Sequence, residues 1–170
     1  VLSATIRKHE TFDQEKTMKP FSYAAVSPPD HGTPAMAFGE HIIRMMGANT
    51  GGAFGMFEAV VPSNGGPPLH VHEREDEFFR VLSGRFGFWC AGDYVELAEG
   101  GCIALPRGVP HRFQNVGETE GRIMVVVTPG GFETFFPVIE LCKPETPEQV
   151  ASVARDFGLT FLPEDTSQAA

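Results

Sequence analysis

The stretch Pro67-Pro68-Leu69-His70-Val71-His72-Glu73-Arg74-Glu75-Asp76-Glu77 concentrates side chains that bind metal ions. On an extended segment, His70 and His72 project to the same face. Glu77, opening the next segment on that face, adds a carboxylate. A second stretch, Pro106-Arg107-Gly108-Val109-Pro110-His111-Arg112-Phe113-Gln114-Asn115, offers His111 as a third imidazole. Three neutral imidazoles and one carboxylate suit one divalent transition metal ion: iron, manganese, cobalt, nickel, copper or zinc. With four protein ligands, a six-coordinate ion keeps positions open for water, substrate or dioxygen. Asp76 is the rival carboxylate, one residue upstream.

These residues need strands to aim them. Strand-like text covers residues 41–46, 54–61, 77–82, 86–90, 94–97, 102–105, 111–115 and 122–128, separated by turn signals such as Ala91-Gly92-Asp93 and Glu99-Gly100-Gly101. Strands recurring this often predict an all-β sandwich or barrel. Alternation places Phe113 and Asn115 on the face of His111, and Phe79 and Val81 on the face of Glu77. These four are the expected pocket lining, and they favour a planar, apolar small-molecule substrate with one or two chelating oxygens. Glu73, Glu75 and Asp76 make up the rest of an acidic run beside His70 and His72. Residues 1–38 read as an arm, residues 39–130 as the barrel and residues 131–170 as a tail of short helices. In that tail Phe132, Phe135, Phe136 and Ile139 have helical spacing, interrupted by Pro137. A second helix spans residues 147–157, with Thr146 as N-cap, Gln149 completing a capping box and Gly158 as the stop.

Composition narrows the classes further. The chain has 170 residues, a size for one domain, and a net charge of −9 that disfavours nucleic acid as a partner. No apolar run approaches the length of a membrane span, and no secretory leader is read. Cys90, Cys102 and Cys142 are odd in number and widely spaced. They are expected to be reduced packing residues of a cytoplasmic protein, and their spacing excludes a thiolate zinc site. Met45 and Met46 are expected in the core. Phenylalanine supplies 15 residues, a large apolar payload for a core or pocket. Gly51-Gly52-Ala53-Phe54-Gly55 lacks the Gly-Lys-Ser/Thr and helix of a phosphate loop.

The two histidine stretches have a specific joint spacing. The first reads His70-x-His72, four residues, Glu77, six residues, Gly84; the second reads Gly100, five residues, Pro106-x-Gly108, two residues, His111, three residues, Asn115. Fifteen residues separate them. This pattern resembles the paired motifs of the cupin superfamily. Asn64 stands where the family has a glycine, with Gly65 and Gly66 beside it. The spacing to Gly84 selects Glu77 over Asp76. Thr50-Gly51-Gly52-Ala53-Phe54, Gly66-Pro67-Pro68-Leu69-His70-Val71-His72, Phe88-Trp89 and Thr128-Pro129-Gly130-Gly131-Phe132 further resemble bacterial single-domain cupins grouped with quercetin 2,3-dioxygenases.

The resemblance implies a double-stranded β-helix, a jelly-roll-like barrel with short C-terminal helices. It also implies a homodimer formed through sheet faces or an exchanged N-terminal arm. It implies O2-dependent ring cleavage of a flavonol or related enolic aromatic compound. His70, His72, Glu77 and His111 would hold the metal, and Glu77 would also act as catalytic base. Two other functions fit the same residues: a cyclase or isomerase on a polyketide-like substrate without O2, and a metal-containing small-molecule binding module.

Overall fold

The computed structural model describes residues 21–163, and within them the chain forms two antiparallel sheets that face each other. One sheet runs in the order β1 (Thr33–Ala35), β2 (His41–Met45), β3 (Gly55–Val61), β10 (Gly121–Thr128), β5 (Asp76–Ser83) and β8 (Cys102–Leu105). The other runs β11 (Leu159–Phe161), β4 (His70–His72), β9 (His111–Asn115), β6 (Arg85–Cys90) and β7 (Asp93–Ala98). From β4 to β10 only the β6–β7 hairpin stays within one sheet; every other connection crosses to the opposite one. This is the all-β double-stranded β-helix.

Alternation of residue type builds it. In β3 every second residue is buried, so Phe57, Ala59 and Val61 face inward; Ile123, Val125 and Val127 do the same in β10. Phe79 and Val81 of β5 extend this face within the same sheet, and Phe86 and Phe88 of β6 meet it from the facing sheet. Burying one such side chain contributes roughly 1.5–3 kcal/mol. The strands expected from sequence are all present, with no end moved by more than one residue. Three-residue β1 and β11 are too short for a periodic signal and find their place only by pairing with β2 and β4. A 3-10 turn, Gly47–Thr50, follows β2.

Two details differ from expectation. Cys90 is half-buried against the core, but Cys102 and Cys142 are exposed. Cys102 opens the edge strand β8 with its side chain outward, and Cys142 ends a helix, so neither is a packing residue. Met45 and Met46 are half-buried, and Met46 packs against the core from just beyond β2.

The C-terminal helices belong to the barrel. A 3-10 turn, Phe132–Thr134, leads into α1 (Phe135–Cys142), and α2 (Pro147–Asp156) follows. Pro137 sits in the first turn of α1, where its missing N–H breaks no intrahelical bond. Phe132, Phe135, Phe136 and Ile139 join the core, and α2 packs against β11. The buried carboxylate of Glu133 accepts hydrogen bonds from the N–H groups of Gly47 (2.6 Å) and Gly131 (2.7 Å), which ties this segment to the β2–β3 connection. Thr146 caps α2 by accepting from the Gln149 N–H at 3.3 Å. The reciprocal bond falls one residue before the cap, with Gln149 accepting from the Glu145 N–H at 2.7 Å. Gly158 (φ 74°) turns the chain out of the helix into β11. Of the expected arm, residues 1–20 lie outside the described residues. No helix among the described residues is long and apolar enough to cross a membrane.

Candidate metal centre

Sheet pairing brings the four expected ligands together. In β4, His70 stands directly opposite His111 of β9, while Glu77 enters from β5 in the facing sheet. Three imidazoles from one sheet thus meet one carboxylate from the other. All four residues are 5% exposed or less, and one ligand atom from each lies within 4.8 Å of those of the others. The rings of His72 and His111 are nearly parallel (6°), and His70 stands edge-on to both (76° and 72°). The motif glycine Gly108 has φ 73°, a conformation that suits glycine, and its N–H donates to the His72 carbonyl at 2.7 Å. That bond fastens the loop before His111 to the strand carrying the other two histidines.

The outer nitrogens fix how the rings are protonated. His70 Nδ1 lies 2.8 Å from the Pro68 carbonyl and His111 Nδ1 lies 2.9 Å from the Val109 carbonyl. A carbonyl only accepts, so each Nδ1 carries the proton, and in a neutral ring Nε2 presents a bare lone pair. His72 Nδ1 faces a carboxylate oxygen of Glu75 at 3.5 Å, which favours the same tautomer. All three Nε2 atoms therefore turn inward. Glu77 Oε2 is 3.0 Å from His111 Nε2, and Glu77 Oε1 is 3.6 Å from His72 Nε2. Lone pairs converging this closely repel unless a cation, a proton or a metal, sits among them.

The titration behaviour agrees. Burial pushes His70 down to about 4, against a partial offset from Glu77, so its ring is neutral near pH 7. Burial also works to lower His72, but Glu77 and Glu75 outweigh it and raise the ring above its usual value. For Glu77, burial would raise the carboxyl; the three imidazoles overcome it and hold the group below the usual carboxylate range. This donor set, three nitrogens with orienting acceptors behind them and one ionised oxygen, fits a divalent transition metal, and the four residues could hold one ion.

A cavity of about 900 Å³ reaches His70, His72 and Glu77. Of the expected pocket residues, Phe79 and Phe113 line it, whereas Val81 and Asn115 do not. Val81 is buried among core side chains. Asn115 is fully buried and fastens the end of β9: its Nδ2 donates to the carbonyls of Val61 (2.8 Å) and Thr119 (2.9 Å), and its Oδ1 accepts from the Gly117 N–H at 2.9 Å. Asp76 turns away from the centre. It pairs with Arg107 at 2.7 Å, and the hydrogen bonds from that residue hold its carboxyl at about 2.

Several residues of the site escape the sequence reading. Glu75 is buried on the outer side of His72, although it looks like part of a solvated acidic run. Phe132, Phe135 and Phe136 form a wall of the cavity. Their helical spacing marks them as apolar, not as neighbours of a metal. His41 lines the cavity too. Its signal was alternation, because His41 and Ile43 share the inward face of β2.

Comparison with known proteins places this geometry. A cupin domain model matches residues 57–127. The solved structure of an RmlC-like cupin from Shewanella frigidimarina superposes with a TM-score of 0.54, covering 64% of this chain and 93% of that one at 15% identity, a likeness of fold alone. The oxidoreductase iacF of Pestalotiopsis fici is 43% identical over 51 residues, 28% of this chain and 24% of that protein. An uncharacterized protein of Methanocaldococcus jannaschii is 30% identical over 67 residues, 39% of this chain and 54% of that protein. The chain therefore spans about half of one curated relative it matches and about a quarter of the other. The domain match and the shared fold support the cupin superfamily.

Proposed function

We propose that this cupin-fold chain is a metal-dependent dioxygenase of the quercetin 2,3-dioxygenase type, cleaving a ring of a flavonol or related enolic aromatic compound with O2. One observation carries the reading: three inward Nε2 atoms and the Glu77 carboxylate converge at the wall of a cavity of about 900 Å³ whose lining is mostly apolar and includes eight phenylalanines. A divalent ion, when bound, supplies Lewis acidity that makes an enolic hydroxyl easier to deprotonate. His70, His72 and His111 would hold the ion. Glu77 is ionised, shielded from bulk water and open to the cavity, so it can take the enolic proton on a carboxylate oxygen. Phe79, Phe113 and Phe132 offer ring faces and edges to an aromatic substrate and keep water from the reacting end. The match to an oxidoreductase supports redox chemistry over isomerisation, through the segment the two proteins share.

The test is turnover of a flavonol panel, aerobic and anaerobic, by protein loaded with each candidate metal. O2-dependent loss of flavonol is the expected result. Turnover of a polyketide-like substrate without O2 would replace this reading with a cyclase or isomerase. Binding without turnover under every condition would leave a metal-containing binding module.

A further inference from the structure

Besides the metal centre and the exposed side chains of Glu145, Thr146 and Glu148, the cavity lining holds one buried polar side chain, His41. His41 is 8% exposed and lines the cavity, with its ring stacked on Phe136 (centroids 3.8 Å apart) and tilted against Phe57 (6.0 Å). Its Nδ1 lies 3.2 Å from the Gly39 carbonyl. As with the metal-centre histidines, a carbonyl partner requires the proton on Nδ1. Burial pushes the group down to about 4, so the ring is neutral near pH 7. Nε2 is then a bare acceptor, and it has no partner among the described residues. A polar atom on a mostly apolar wall costs free energy unless something donates to it.

His41 is separate from the metal centre. The rings of Phe136 and Phe132 stand between them, in a chain from His41 through Phe136 (3.8 Å) and Phe132 (5.9 Å) to His72 (4.4 Å). A ligand that meets the metal with one end and His41 with the other must be extended, aromatic in its middle and able to donate a proton at the far end.

We infer that His41 is a specificity-determining residue whose Nε2 accepts a hydrogen bond from a phenolic hydroxyl of the substrate, remote from the oxygens at the metal. This rests on the proposed aromatic, enolic substrate and adds a requirement that the metal centre does not impose. An analogue lacking the remote hydroxyl would bury Nε2 without a donor. A mispaired buried acceptor corresponds to roughly 5–100-fold in affinity.

The experiment compares 3-hydroxyflavone, which keeps only the chelating hydroxyl, with flavonols that carry an added hydroxyl on either outer ring. Binding to zinc-loaded protein is measured by anaerobic calorimetry. The wild type should bind at least one hydroxylated flavonol roughly 5–100-fold more tightly than 3-hydroxyflavone. His41→Phe keeps a flat ring against Phe136 but has no acceptor, and should bring that ratio close to one. His41→Gln, which restores an acceptor, should recover part of it. A merely structural role for His41 would weaken all ligands together and leave the ratio intact. His41→Leu replaces the Phe variant if that protein loses its thermal transition. No hydroxyl preference in the wild type, or the same preference in the acceptor-free variant, overturns the inference while the dioxygenase reading stands. Failure of every flavonol to bind the wild type overturns both.

Discussion

Nδ1 of His72 lies 3.5 Å from Oε2 of Glu75, and both atoms are shut away from solvent without a hydrogen bond of their own. The pair meets as a charge contact at the back of a ligand ring. It does there what backbone carbonyls do behind His70 and His111: it favours the proton on the outer nitrogen and turns the lone pair inward. His72 differs in having a carboxyl group of a side chain, not a backbone carbonyl, behind it.

Glu75 is therefore expected to act on metal binding although it is not a ligand. Glu75→Gln should weaken affinity for zinc or cobalt roughly 10–100-fold, measured by competition with a chelator. The visible spectrum of the cobalt-loaded protein should shift as well, because the field at His72 changes. An unchanged affinity and spectrum would reduce Glu75 to a packing residue.

Glu77 separates from its acidic neighbours by function. Glu77→Gln keeps the shape and one oxygen ligand but removes the charge and the basicity. Turnover should fall roughly 10²–10⁴-fold while the three histidines retain much of the metal. Glu73, which is exposed, is the matching control, and its neutralisation should leave the rate within a few fold. Metal content measured beside single-turnover substrate loss distinguishes a lost base from a lost ion. Wild-type turnover by a fully metallated Glu77→Gln protein would remove the base assignment.

His41 ties stability to pH. Its ring is pushed from 6.5 to about 4 by burial, so between those values the unfolded chain takes up a proton that the folded chain refuses. Stability is then full above about pH 6.5 and declines as pH falls toward about 4, by up to roughly 3 kcal/mol for this group. His41→Phe should flatten that part of the acid limb in urea titrations run across the range. Parallel acid limbs for both proteins would show that the ring titrates normally.

The α2 cap gives a test remote from the site. Thr146→Ala removes the acceptor of the Gln149 N–H and should cost roughly 0.5–2 kcal/mol in chemical denaturation, with metal content unchanged. Loss of metal in this variant would mean that α2, whose first turn borders the cavity, also braces the centre.

The sequence by itself determined the ligand quartet and the strands that carry it. His70-x-His72 on an extended segment puts two imidazoles on one face whatever surrounds them, and period-two burial in β3, β5 and β10 follows from residue type alone. The capped helix at Pro147–Asp156 was legible for the same reason, since cap, first-turn proline and terminal glycine act within a few residues of one another. Only the tertiary structure decided which side chains surround the quartet. Glu75 is buried by the chain packed over it, and nothing in a run of acidic residues announces that. Asn115 shares a face with His111, yet the carbonyls of Val61 and Thr119 take its side chain for the end of the strand. Phe132 reaches His72 and Phe136 reaches His41 because the C-terminal helices fold back over the barrel, and His41 itself comes from β2, far away in the chain. Local geometry sets which way a side chain points from its own strand; what it then meets depends on contacts between distant segments, which no short-range pattern encodes.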